Sequence, residues 1–520
     1  MTARLFSLLV LLLLGGCSSL PVDYPRQSST AYDKPGATSI AKIFSNDLAD
    51  HPGKSACLLL TEGEQAFLAR KAMIDIAEHT VDMQYFIWKQ DEIGKILIHA
   101  LLQAADRGVR VRLLLDDYGS SELHDLGAAL LATHPNVEVR LYNPFVARDL
   151  EGLQLLFNLD RLNHRMHNKA LVVDNVMAVM GGRNIGNEYF DVHTSANFRD
   201  LDVATVGPVV PDISASFDNF WNSDWAIPID ALRERPAQEE FDAARKKLGS
   251  WYESLQDFPY PLDKQANENR QRLVELKRDF TWVHVEVLGD EPDKPDTKEE
   301  SEIIRVIRQL MDDLQEEIQI ENAYFIPRDR GVTVLENLHQ RGVSVRVLTN
   351  SLASNDMLPA HAGYSRYRKR LLEGGIQLFE LRPDAGGNLE ENRTSKTRSA
   401  KSTLHTKSIV FDRKRVIIGT MNLDPRSVDL NTEIVLYIEN EDLAQQVADY
   451  LDSGVRPENS YRLKLQGSDQ LDEADTQQQK IVWVTEENGK RIMYTSEPEA
   501  GLFQKLGVFF LNLLPIEDYL

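Results

Sequence analysis

Short apolar runs rich in β-branched residues alternate with stretches of helical, 3.6-residue periodicity along this chain, and the alternation is written twice. "VDMQYFIW" at residues 81–88 is followed by a helical pattern and then by "RGVRVRLLLDD" from Arg107, in which Val109 to Leu115 reads as a strand buried on both faces. In the second half "IENAYFIP" at residues 320–327 leads into another helical pattern and into "RGVSVRVLTNS" from Arg341. Helix-forming "ARKAMIDIAEHT" and "IIRVIRQLMDDLQEE" stand in front of the two copies. Tyr85 with Tyr324, Gly108 with Gly342 and His167 with His405 lie at nearly the same separation, which predicts an internal duplication. Each half reads strand, helix, strand. The predicted fold class is α/β, with two tandem lobes, each a sheet flanked by helices.

At 520 residues the chain exceeds what one ordinary core organises. Residues 1–17, "MTARLFSLLVLLLLGGC", carry the basic residue, apolar run and small residues of a secretory leader and are too short to span a bilayer; Leu14 to Cys17 resemble a bacterial lipobox. On that reading Cys17 is the lipidated first residue of the mature protein, and the Ser- and Pro-bearing residues 18–50 are a tether. A first lobe is expected over 51–230, a polar helical connector over 231–280, a second lobe over 281–456 and an extension with an apolar, amphipathic end over 457–520. The acidic, Pro-bearing run from Gly289 is expected as an exposed loop. Hydrophobic residues at 42% and charged residues at 27% are the values of a folded chain, so no large part need be assigned to disorder. A net charge of -22 argues against nucleic acid as a partner. Cys17 and Cys57 are the only cysteines, so acylation of Cys17 leaves no internal disulfide. "GKS" at residues 53–55 is no phosphate loop, because Leu48 stands where that loop needs glycine.

The chemistry lies in "HNKALVVD" at 167–174 and "HTKSIVFD" at 405–412, which share His, Lys and Asp at the same offsets with different apolar filling. In a strand, side chains two apart share a face, so His167 points with Lys169 and His405 with Lys407. Turn-like residues follow Asp174 and Asp412, and each motif is expected to fold back as a hairpin through "VMAVMGGRN" or "RVIIGTMN". That return brings Asn184 or Asn422 beside the histidine, so each half supplies one His, one Lys and one Asn to a single patch. Asp174 and Asp412, though part of the motif, sit at the turns, where a structural role is expected. Lysines and amides hold the non-bridging oxygens of a phosphodiester, one neutral imidazole attacks phosphorus and a protonated one serves the departing alkoxide; this chemistry requires no metal.

These paired residues resemble the signature of the phospholipase D superfamily, and the resemblance runs over nearly the whole chain from about Cys57. Within it, "RMHNKALVVDNVMAVMGGRNIGNEYF", "SNDMLPAHAGYSRYRKRLLEGG", "GTMNLDPRSVDLNTE" and "LLPIEDYL" are most similar to bacterial cardiolipin synthases of the C type. The resemblance implies mixed sheets, pseudo-two-fold lobes with the active site at their interface, and transfer of a phosphatidyl group between lipid head groups through a phosphohistidine. It implies His167 as nucleophile, His405 as acid, and Asp202 in "FRDLDV" and Glu433 in "LNTEIV" as the carboxylates that orient the histidines, with their pairing left open. No cofactor is implied. The implied partners are phosphatidylglycerol, phosphatidylethanolamine and a membrane surface, and the implied location is the bacterial envelope facing the periplasm, the outer membrane before the inner. Water as acceptor, giving phosphatidic acid, is the nearest competing outcome, and a phosphodiesterase acting on nucleic acid is a more distant one.

Weaker signals complete the list of candidates. Tyr85, Tyr324, His361 and Arg366 are candidate substrate contacts, although a solvated basic helix face accounts for the charges around His361 equally well. Two apolar stretches, at 150–162 and 501–515, are too short to span a bilayer and suit an interface or a core. The basic, Ser-rich 391–402 reads as a surface loop near His405.

Overall fold

A computed structural model describes residues 24–120, 123–145, 159–262, 266–297, 300–389, 399–466 and 480–514. Cys17 and the leader lie outside these residues, as do most of the apolar stretch at 150–162 and most of the basic loop at 391–402.

The first half contributes β1 (Ser55–Leu60), β2 (Thr80–Tyr85), β3 (Arg110–Asp116), β4 (Val137–Tyr142), β5 (Ala170–Val173), β6 (Met177–Gly181), β7 (Ala196–Arg199), β8 (Asp202–Val206) and β9 (Ala226–Pro228). Its sheet runs β1-β8-β6-β5-β2-β3-β4-β9, with β2, β3 and β4 parallel and the other pairings antiparallel. Parallel strands need a crossover, and the helix Glu92–Asp106 supplies it between β2 and β3, buried on the sheet through Ile93, Ile96, Leu97 and Leu101. Asp91 starts that helix by accepting a bond from the Gly94 amide.

The second half contributes β10 (Thr281–Gly289), β11 (Glu317–Asn322), β12 (Ser344–Asn350), β13 (Gln377–Leu381), β14 (Lys401–Leu404), β15 (Lys407–Phe411), β16 (Arg415–Gly419), β17 (Ile434–Glu439), β18 (Ser460–Leu465), β19 (Ile481–Glu487) and β20 (Lys490–Tyr494). Their order, β10-β17-β16-β15-β11-β12-β13-β18, repeats that of the first lobe strand for strand, and β19 and β20 extend it. β10 also pairs with β1 through Ser55 to Cys57, so one strand closes both sheets. Val172, Met180 and Val203 of the first lobe meet Val410, Ile418 and Leu436 of the second in a shared buried core. The lobes thus join as a domain interior does.

Three of the expected segments are more closely packed than their composition suggests. The described part of the expected tether is packed, not free: Arg112 and Arg140 donate to the carbonyls of Ser29 and Gln27, and Ile40 and Phe44 are buried from the helix Ser39–Asp50. The connector covers the first lobe, placing Phe241, Tyr260 and Leu273 in its core. The start of the C-terminal extension is sheet, because β18 pairs with β13.

Candidate active site

Each motif strand starts at a clamp and ends at a tied turn. Asp116, the last residue of β3, accepts the Met166 amide at 2.9 Å and pairs with Arg165 at 3.2 Å; at the corresponding end of β12, Asn350 accepts the Leu404 amide and donates to the Leu404 carbonyl, both at 2.8 Å. The residue before each histidine is thereby fixed. At the far ends Asp174 and Asp412 adopt positive φ, 53° and 50°. Asp174 accepts the amides of Glu78, His79 and Thr80, and Asp412 those of Gln315, Glu316 and Glu317. These aspartates belong to the hairpins. Neither bonds to His167 or His405.

Across the interface each lobe orients the other's imidazole. The His167 amide donates to the Thr432 carbonyl at 3.0 Å, which places Glu433 Oε2 2.9 Å from His167 Nδ1. Symmetrically, β7 pairs with β14 and the His405 amide donates to the Arg199 carbonyl at 2.8 Å, which places Asp200 Oδ2 2.6 Å from His405 Nδ1. A carboxylate on Nδ1–H fixes the tautomer and leaves Nε2 of each ring for chemistry. Both rings are nearly buried, 7% and 5% exposed, and burial is the main force on their charge. His167 is pushed down to about 4, against the opposing pull of Glu433, and His405 is pushed well below its ordinary value by burial and by Lys407, Lys169 and His167. Burial raises the Asp200 carboxyl. It also acts upward on Glu433, but His167, Lys169 and Thr420 outweigh it and hold that carboxyl below its usual range.

Lys169 Nζ donates to the His167 carbonyl at 2.7 Å, and Lys407 makes the same contact with His405. Burial, aided by Lys407, brings Lys169 down to about 7, and burial also lowers Lys407. Two imidazoles and two ammonium groups therefore share one low-dielectric patch. The asparagines differ: Asn184 accepts the Ile87 amide at 3.0 Å and donates to Tyr189 Oη at 3.1 Å, whereas the buried Asn422 amide oxygen has no partner among the described residues. Aromatic rings wall the imidazoles, Phe86 edge-on to His167 at 5.1 Å between centroids, and Tyr189 and Phe198 against His405 at 5.2 and 5.1 Å.

The family model described as "Cardiolipin synthase, PLD-like domain" matches residues 71–221 and 307–454, once in each lobe. The chain is 36% identical to cardiolipin synthase C of Escherichia coli (strain K12) over 472 residues, covering 90% of this chain and 97% of that one. The chain belongs to the cardiolipin synthase family with a phospholipase D-like domain. Another family member, cardiolipin synthase B of Shigella flexneri, is 30% identical over 76% of this chain and 78% of its own. In fold the chain is similar to the phosphatidylserine synthase of Haemophilus influenzae Rd KW20, with a TM-score of 0.55 and 16% identity over 93% of this chain and 100% of that one.

Against this family site, several expectations need correction. Asp202 touches no histidine; it is held by Arg70 at 2.9 Å and Arg183 at 3.4 Å, and Asp200 is the residue on His405. Strand register gives the reason. Gly181 pairs with Asp202 as Gly419 pairs with Val435, so Glu433, two before Val435, corresponds to Asp200. Tyr85 is not equivalent to Tyr324. The bridges Trp88 to Ile185 and Phe325 to Leu423 make Tyr85 the counterpart of Asn322, so Tyr324 stands two residues further on, beyond the end of β11. Tyr85 accordingly lies in the core, accepting from Arg70 at 3.0 Å, while the Tyr324 hydroxyl meets Asp356 at 3.0 Å near Lys407. His361 is buried, 2.9 Å from Arg368, which pairs with Glu380 and Glu497. Arg366 donates to carbonyls at the end of the helix Leu502–Leu511. Both side chains are thus engaged by the protein itself. The clamps Asp116 and Asn350 were not legible as site residues, and their only signal is a polar residue ending each apolar run, "LLLDD" and "VLTNS".

Proposed function

We propose that this protein makes cardiolipin by moving a phosphatidyl group from phosphatidylglycerol or phosphatidylethanolamine onto phosphatidylglycerol. The observation that carries the reading is the crossed pair, His167 with Glu433 and His405 with Asp200, beside two lysines at the lobe interface. In the first step His167 Nε2 attacks phosphorus, the bond to the donor's head-group oxygen breaks, and His405, whose protonation the negative charge of the bound phosphate favours, gives that oxygen its proton. In the second step neutral His405 takes the proton of the acceptor's glycerol hydroxyl, that oxygen attacks phosphorus, and the bond to His167 breaks. Glu433, held ionised, stabilises the cationic phosphohistidine, which favours His167 as the nucleophile. Lys169, Lys407, Asn184 and Asn422 are assigned to the non-bridging oxygens.

Cys17 is the proposed lipid anchor, holding the body on the periplasmic side of the envelope, at the outer membrane before the inner. Cys17→Ser is expected to release the protein from membranes; retention of the same acylated mass contradicts the anchor.

The test of function is incubation of the protein with phosphatidylglycerol vesicles, with and without phosphatidylethanolamine, and mass spectrometry of the products beside His167→Ala. Cardiolipin absent from the variant supports the transferase, and its dependence on the second lipid names the donor. Phosphatidic acid alone makes water the acceptor.

A further inference from the structure

The helix Leu502–Leu511 leaves most of its large apolar side chains exposed. Leu502, Phe503, Leu506, Phe509 and Phe510, with Leu513 just beyond, recur at helical spacing and are 43% to 88% exposed. A helix of a soluble protein turns such a stripe inward. The half-buried face toward the body carries Gln504, Gly507, Val508 and Leu511: the Gln504 side chain donates to the Leu352 carbonyl at 3.1 Å, and Gly507 faces Leu358 of the neighbouring helix Leu358–Ser365. Arg366 fixes the other end by donating to the carbonyls of Leu511, Asn512 and Leu514. The apolar face is thus held outward by specific polar contacts and is not a frayed terminus.

Its position ties it to the reacting groups. Leu352, where Gln504 is attached, lies two residues beyond Asn350, the clamp that sets Leu404 and therefore His405. Asp356, between Leu352 and the helix Leu358–Ser365, holds the Tyr324 hydroxyl and acts electrostatically on Lys407. The helix therefore packs on the segment, Leu352 to Ser365, that reaches the histidine site through Asp356. Ten residues of helix extend about 15 Å, half of a hydrocarbon core of about 30 Å, so the element fits the plane of a leaflet and cannot cross it.

We propose that this helix seats its Leu and Phe stripe in the outer part of a phospholipid leaflet, setting the histidine pair at head-group height. The inference rests on the phosphatidyl-transfer reading of the histidine site. A two-chain lipid does not leave its bilayer readily, so an enzyme acting on its phosphodiester must come to the surface, and a rigid apolar pad sets both depth and tilt. A leaflet is the occupant chosen over a second copy of the chain because the helix that carries the patch packs on the segment reaching a site for lipid head groups.

The test uses the full chain with Cys17→Ser and Phe510→Cys, labelled with an environment-sensitive NBD group; Cys57 is buried with its thiol pushed up to about 12, so it does not compete. On phosphatidylglycerol vesicles emission is expected to rise about threefold and to be quenched more strongly by a nitroxide high on the acyl chain than by one near its end. The same label at Lys246→Cys, on the helix Gln238–Glu253, is expected to stay unchanged. With Phe503→Ser, Leu506→Ser and Phe510→Ser together, turnover of vesicle lipid is expected to fall at least about tenfold while turnover of monomeric dihexanoyl phosphatidylglycerol changes less than about twofold. No emission change, equal losses on both substrates, or a rise without vesicles that follows doubling of the mass overturns the pad. A quenched label on a protein inert toward every lipid keeps the pad and overturns the catalytic reading instead.

Discussion

Asp200 and Asp202 are two residues apart, both buried, and only Asp200 touches an imidazole. If its role is to hold His405 in one tautomer, Asp200→Asn lowers kcat by about 10² to 10⁴ while the protein stays folded, as loss of a histidine-orienting carboxylate does elsewhere. Asp202→Asn leaves Arg70 and Arg183 with a weakened buried partner; its expected effect is about 3 kcal/mol of stability, read as a lower denaturant midpoint, with kcat of the folded fraction nearly intact. Equal kcat losses in the two variants refute the assignment. The lysines give a pH prediction. Lys169 is brought down to about 7, so kcat/KM, which reports the free enzyme and already declines as His405 loses its proton, is expected to fall more steeply as pH rises through that value and the cation that holds phosphate is lost. On the acid side it is expected to fall only near 4, where His167 gains a proton and ceases to be a nucleophile. A bound anion favours the ammonium form, so the alkaline limb of kcat lies at higher pH than that of kcat/KM. Lys169→Arg is expected to move the kcat/KM limb upward even as the maximal rate drops. An alkaline limb that stays in place refutes the role.

At the scale of elements, the clamp at the end of β12 transmits the fold into the site. Asn350→Ala leaves both the amide and the carbonyl of Leu404 buried without partners, at an expected cost of roughly 2 to 4 kcal/mol, together with a fall in kcat as His405 loosens. Asn350→Asp, which copies Asp116 of the first lobe, restores the acceptor and is expected to recover part of both; urea unfolding and kcat measured together decide it. The paired motifs, the hairpins and the duplication were legible because a histidine and lysine two apart, a turn and a Gly-x-x-Asn return have one geometric meaning in a strand. Asp200 was not legible, since the segment between Asn184 and β8 is longer than its counterpart and includes the turn Asn187–Phe190 and β7, so matching by distance failed where register succeeds. Tyr85 misled for a related reason: "YF" occurs in both halves, but two residues further along the second copy than the first. Only long-range pairing shows that slip. The tether and the connector misled through composition, because residues that are polar on average still bury Phe44, Phe241 and Tyr260 against the first lobe.

Over the whole molecule, duplication has produced one enzyme and not two. β10 pairs with β1 of the first lobe and β17 of the second, the two sheets share a core, and neither histidine finds its carboxylate within its own lobe. A chain divided between Gln256 and Asp257, both exposed beyond the helix Gln238–Glu253, separates the lobes without cutting a strand or helix. Each half alone lacks one imidazole of the pair and the carboxylate for the other, so its expected turnover of phosphatidylglycerol is less than about 1% of the whole. Each half also exposes a face that the other buries, including Val172 and Met180 on one side and Ile418 and Leu436 on the other. Co-expressed halves are therefore expected to elute as one particle and to recover turnover to within about tenfold of the intact chain, whereas halves carrying His167→Ala or His405→Ala are expected to associate equally well and remain inactive. Activity in either half alone contradicts the crossed arrangement, because it requires a complete site on one side of an interface that holds half of it on each.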